Sequence, residues 1–234
     1  MKCSSASEDR DVADFLRWLA DEHFTFLGYR HYRLEDGVLV PELASGLGVL
    51  RRDTLATRAF TPDAAVDGAD ERLVLTRASG LSRVLRQTHP YVVGVRTVDA
   101  QGRFTGEHRF LGMLTVPALY ESVLDIPVVA QRVRAAIRSA GFPLESFSGQ
   151  QMLEVLSGLP REELFSASQE YLHDVAVGVL ALSGRRSVRV FLRADPRRRF
   201  VSCLVYLPRD RYTTTGRLAM SGVLMRRLRG TGVD

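Results

Sequence analysis

The sequence predicts an α+β chain: an antiparallel sheet module, then a run of helices, then a short strand pair with one more helix. Three observations predict it. Val12, Phe15, Leu16 and Leu19 recur at helical spacing within residues 8–22. Between residues 24 and 116, aromatic and β-branched runs are separated by the turn pairs Asp36-Gly37 and Gln101-Gly102. From Asp125 to Gly184 helical stripes take over, and strict alternation returns only at Ser187–Arg193.

In order, the first helix spans residues 8–22 and follows a disordered tail at 1–10. FTFLGYRHYRL, residues 24–34, reads as a strand by its aromatic density, Asp36-Gly37 as its hairpin turn and Val38–Val40 as the return strand. Residues 41–70 weaken into loop or short helical material. Arg72–Arg77, Tyr91–Val98 and Glu107–Val116 follow as strands, the last two joined at Gln101-Gly102. Two strands, an irregular connection and three antiparallel strands give the order of a PAS-like or GAF-like sensor module, expected over 11–145. Asp125 is the expected N-cap of a helix closed by Gly141, and Ser148 with Gln151 fits a capping box for the next. Pro160 starts a further turn, and Tyr171 to Leu182 line a helix ending at Gly184, which makes 146–184 a helical connection. Ser187–Arg193 and Phe200–Leu207, joined at Asp195-Pro196, then a helix from Thr214 to Arg229, complete an α, β, β, α order. That is the middle of the ferredoxin-like pattern of ACT domains, so 185–234 is expected to be a partial ACT-like module.

Composition narrows the chemistry. The 234 residues are 45% hydrophobic and 25% charged, the balance of a globular protein. No apolar run approaches the roughly 20 residues that cross a bilayer, and no signal-peptide core is present, so no membrane partner is expected. Two cysteines, Cys3 and Cys203, form no disulfide framework, and a reducing, cytoplasmic compartment is the default. Of 32 Lys+Arg, Lys2 is the only lysine, which leaves no buried ammonium for Schiff-base or lysine-base catalysis. Charge is uneven. Residues 1–184 carry 19 basic and 24 acidic residues, whereas residues 185–234 carry 13 arginines against three aspartates.

No catalytic constellation emerges. Gly46-Leu47-Gly48 begins like a dinucleotide fingerprint but lacks its third glycine and its βαβ context, and reads as a loop with two flexible glycines. His23, His31, His89, His108 and His173 show no metal-site spacing, with His108 in a solvated position. Glu162 and Glu163 are adjacent and diverge on a helix. The chain is therefore expected to hold no catalytic, cofactor-binding or metal residues. Arg197-Arg198-Arg199 and the basic end of the last helix read as solvated turns and helix-terminal charges. Nucleic-acid binding through this region is a third and weaker reading, its interleaved stacking aromatics limited to Phe200, Tyr206 and Tyr212.

Several stretches together carry a resemblance: Phe15 to Arg30 (FLRWLADEHFTFLGYR), Gly46 to Arg51 (GLGVLR), Gly106 to Gly112 (GEHRFLG), Ile126-Pro127, Val188 to Arg193 (VRVFLR) and Arg199 to Tyr212 (RFVSCLVYLPRDRY). They resemble the N-terminal regulatory part of the large bacterial NAD-specific glutamate dehydrogenases. The resemblance implies a non-catalytic regulatory or assembly segment of a longer subunit, with NAD and the substrate lysines in a distant catalytic domain. Implied partners are the remainder of the parent subunit, a homo-oligomer and an amino-acid effector. The alternative is a free-standing amino-acid sensor. Gly80 to Arg86 (GLSRVLR) departs from the polar run of relatives. Val188, Val190 and Leu192, on one apolar strand face, are the candidate association surface, since an incomplete sheet recruits a covering partner.

Overall fold

The computed structural model describes residues 3–52, 72–182, 186–195 and 199–233. Helix α1 (Cys3–Trp18) leads through the wide turn Leu19–His23, where Asp21 and Glu22 leave helical geometry, into strand β1 (Phe24–Glu35). The helix thus begins inside the stretch expected as a tail and ends before residue 22. Burial of Phe15, Trp18 and Leu19 fixes its inner face, and the chain must then unwind for Phe24 to enter the sheet.

Asp36 and Gly37 both adopt positive φ (49° and 79°), the hairpin turn that matches strand twist, and β2 (Val38–Pro41) returns beside β1. β3 (Leu47–Gly48), β4 (Leu73–Arg77), β5 (Tyr91–Val98) and β6 (Phe104–Leu114) complete an antiparallel sheet of order β2-β1-β6-β5-β4, with β3 paired on β1. β6 starts earlier than expected because the Gln101-Gly102 turn pairs Phe104 with Val98. Of the irregular stretch 41–70, residues 53–70 lie outside the described residues.

Four helices follow the short α2 (Val116–Tyr120): α3 (Val129–Ser139), α4 (Phe147–Ser157), α5 (Arg161–Ser166) and α6 (Gln169–Leu180). Two caps differ from expectation. Asp125 lies in a turn, its N–H donating to Ser122 O, and α3 starts after Val128, whose φ is 70°. Ser146, not Ser148, caps α4, its Oγ accepting from Gly149 N. The last helix of this group stops at Leu180, and Gly184 lies outside the described residues. β7 (Arg189–Ala194) and β8 (Val201–Tyr206) form a separate two-stranded sheet, and α7 (Thr214–Leu228) closes the chain.

The main core joins α1, one face of the sheet and helices α3 to α6 through Phe15, Trp18, Phe24, Val133, Ile137, Met152, Leu164 and Leu172. The opposite sheet face buries Leu50, Ala78, Val92 and Leu111 together with Arg30, Arg109 and Glu107. There Arg109 Nε donates to Glu107 Oε1 at 2.5 Å and the guanidinium lies 4.2 Å from the Tyr32 ring centre. Between α1 and the sheet, the cavity lined by Phe15, Leu19, Tyr91 and Phe165 measures about 10 Å³, the volume of at most one water. Among the described residues no helix is long and apolar enough to cross a membrane.

Candidate functional site

The β7–β8 hairpin has two unlike faces. On the inner face, Phe191, Leu204 and Tyr206 pack against the helical core. Gly178 of α6 makes room for the Phe191 ring, since a Cβ there would stand 2.7 Å from its Cζ. Arg193 grips Glu163 of α5 through two bonds, Nε to Oε2 at 3.0 Å and Nη2 to Oε1 at 2.8 Å, and also donates to Ser166 Oγ. Both side chains are nearly buried, at 12% and 5% exposure, so the pair is a directional tie rather than a surface ion pair.

A second tie sits at the hairpin tip. Arg199 pairs with the buried Asp195 through Nε and Nη2, and reaches β4 by donating to Arg77 O at 2.7 Å and Thr76 Oγ1 at 2.5 Å. Arg77 in turn lies over the Phe200 ring at 4.2 Å. This corrects the expectation of a solvated arginine turn: Arg199 faces inward, while Arg197 and Arg198 lie outside the described residues. Burial and the nearby Glu163 carboxylate push the Tyr171 hydroxyl up to about 12 and raise the Cys203 thiol as well. Cys203 is thus held as a thiol, the unreactive form.

The outer face is apolar and bare. Val190 pairs with Val205, Leu192 with Cys203 and Ala194 with Val201. Val190, Leu192 and Val201 are 44%, 49% and 41% exposed. Val188, also exposed, precedes β7 rather than belonging to it. All three expected association residues are therefore at the surface, with Val190 and Leu192 on one sheet face. α7 adds exposed Leu218, Val223 and Leu228 and buries no residue.

Other candidates resolve differently. Gly46 and Gly48 stand where no side chain fits: a Cβ on Gly48 would collide with Leu27 O, and one on Gly46 would stand against backbone at Leu50 and Arg51. Those glycines let the loop approach β1 closely, Gly48 pairing with Gly28. Glu162 and Glu163 diverge, one toward Arg77 at 4.0 Å and the other toward Arg193. His23 stacks on Trp18 and faces Glu121 at 3.1 Å. His108 is half-buried rather than solvated, because β6 places it directly opposite His31 of β1. Its Nδ1 meets Tyr29 Oη at 2.8 Å, and the two imidazole centres are 4.6 Å apart. Sequence spacing hides this pairing, since it arises from strand register. The apolar loop Gly80 to Arg86 exposes Leu81, Val84 and Leu85, the last at a φ of 65°.

Fold and site define an α+β segment in which a two-stranded hairpin is pinned to a helical layer. The family model described as glutamate dehydrogenase, ACT2 domain, matches residues 189–234, and that for helical motif 1 of glutamate dehydrogenase matches 126–185. The NAD-specific glutamate dehydrogenase of Mycobacterium tuberculosis (strain H37Rv) is 41% identical over 231 residues, covering 98% of this chain and 14% of that protein. Its counterparts from Pseudomonas aeruginosa (strain PAO1) and Halomonas elongata are 37% and 34% identical, over 98% and 97% of the chain and 15% of each relative. These matches fit an N-terminal segment of the large NAD-specific glutamate dehydrogenases, to which the chain is similar over nearly its whole length. It spans about one-seventh of the length of these curated relatives.

Proposed function

We propose that this chain is a non-catalytic regulatory and assembly segment of an NAD-dependent glutamate dehydrogenase, whose parent reaction deaminates L-glutamate oxidatively to 2-oxoglutarate and ammonium with NAD. In this reading residues 11–145 form a PAS-like module, 146–184 a helical connection and 185–234 the partial ACT-like module. The sheet order β2-β1-β6-β5-β4 supports the PAS-like description, since omitting β3 leaves the order 2-1-5-4-3. NAD and substrate belong to the remainder of the parent subunit, in the cytoplasm.

The observation that carries the assembly role is the bare apolar face at Val190, Leu192 and Val201 on a hairpin held rigidly from behind. An apolar sheet face with open edges is a pairing surface. The filled interior between α1 and the sheet favours packing over small-molecule sensing in the first module. Any amino-acid effector would instead meet the ACT-like unit.

Sedimentation of the chain over a concentration series, beside Val190→Asp, tests this. The parent sequence should associate, and the charge on the outer face should abolish association while leaving the folded spectrum unchanged. A monomer at high concentration that ignores the substitution would remove the assembly reading. A thermal-shift screen with leucine and glutamate separates the alternative: a saturable rise in stability without association would favour a free-standing sensor.

A further inference from the structure

The geometry points to a divalent transition-metal site on the large sheet, formed by His31 of β1 and His108 of β6 on the face that also carries Val93 and Phe110. The two residues are direct cross-strand partners, and their rings lie 4.6 Å apart with planes tilted by 32°. Each imidazole has only its Nδ1 engaged. His31 Nδ1 meets the Glu42 carboxylate at 2.8 Å, and His108 Nδ1 meets the Tyr29 hydroxyl at 2.8 Å. That leaves Nε2, the usual ligating atom, on both rings.

The supporting partners are those that metal-bound histidines use. A ligating imidazole commonly donates its other N–H to a carboxylate or another oxygen, which fixes its orientation and raises its basicity. Glu42 does this for His31, its carboxylate standing 2.8 Å from Nδ1. Tyr29 Oη can accept the same bond from His108. Gly106, two residues before His108 on β6, lies beside His31 Nε2: a Cβ there would collide with Tyr32 O and stand 3.3 Å from that nitrogen. Among the described residues no third His, Cys, Asp or Glu completes a three-ligand set. Water or a docking surface would fill the remaining positions, so the site is an exchangeable one rather than a closed structural centre. Two imidazoles suit Zn²⁺, Cu²⁺ and Ni²⁺ and do not suit Mg²⁺ or Ca²⁺.

Calorimetric titration of the full chain with Zn²⁺ tests the site, with Cys3 and Cys203 replaced by Ser to remove thiol binding. One equivalent should bind saturably, and Mg²⁺ should give no heat. His31→Gln and His108→Gln should each lower affinity more than tenfold, and Glu42→Gln, acting through His31, by about tenfold. His173→Gln, whose ring is tied to Ser139 and Ala136 O, should change nothing. Imidazole proton resonances provide a second measurement independent of the variants' folding, since only those of His31 and His108 should move as Zn²⁺ is added. Binding that survives both His→Gln changes, or resonance shifts confined to other histidines, would overturn the assignment.

Discussion

The β1–β6 sheet buries both faces, one under α1 and the helices and the other around Leu50, Val92 and Leu111. The β7–β8 hairpin covers only its inner face and leaves Val190, Leu192 and Val201 in solvent. A two-stranded hairpin alone is marginal in water. The hairpin's order therefore depends on groups that lie outside it: Glu163, Ser166 and Gly178 in the helical layer, Thr76 and the Arg77 carbonyl at the sheet edge. One region is stable by its own core and the other by docking. That distinction gives the second region a route by which events on its outer face reach α5 and β4.

The largest effect expected follows from cutting the buried tie. Glu163→Ala strands the Arg193 guanidinium, and removing one partner of a buried pair costs about 3–5 kcal/mol. Hydrogen exchange should show protection lost first in β7 and β8, with β1, β5 and β6 retaining theirs. Equal loss in both sheets would erase the contrast between a self-sufficient and a dependent region.

Phe191→Ala comes next. Its ring is half-buried over Gly178, so the cost should be about 2 kcal/mol, below the roughly 3–5 of a fully buried phenylalanine. Denaturant unfolding measures it. Introducing Gly178→Ala into the same variant should recover part of the loss, because the new methyl fills space that the ring vacated. An additive penalty would mean that ring and glycine do not meet in solution.

How much of this was legible beforehand differs between the same two regions. The large sheet was readable because its signals are local: dense aromatics at 24–34, a turn pair that needs positive φ at Asp36 and Gly37, and runs of β-branched residues. Helix starts were less so, since Asp125 and Ser148 are chemically acceptable caps and only packing selected Val128 and Ser146 instead. In β7 the alternation of Val190 and Leu192 with Phe191 and Arg193 was plain. Its orientation was not. Apolar alternation favours burying the valine and leucine face, yet the face with the arginine packs inward because Glu163, thirty residues earlier, receives it. Single charges far apart in sequence carry no mark of such a pairing. The His31–His108 contact is hidden for the same reason, being a product of β1–β6 register.

The smallest effect separates the regions by pH. Burial, then the proximity of His31, lowers the pKa of His108 from its ordinary 6.5. The folded chain therefore binds fewer protons at this site than the unfolded chain does. Stability rises with pH wherever the unfolded state holds the extra proton. His108's contribution is accordingly complete above the unfolded value and disappears as pH falls through the lower folded value. In the hairpin, Cys203 and Tyr206 shift the opposite way, burial raising both, so their folded forms retain protons and their contribution weakens only on the alkaline side. Acidification from pH 7.5 to 5.5 should thus reduce exchange protection around His108 in β6 and β1 while β7 and β8 hold theirs. His108→Gln should flatten that acid limb, and Cys203→Ser should leave it intact. An acid limb unchanged in His108→Gln, or one centred on the hairpin, would assign it to other groups and remove pH as a means of telling the two regions apart.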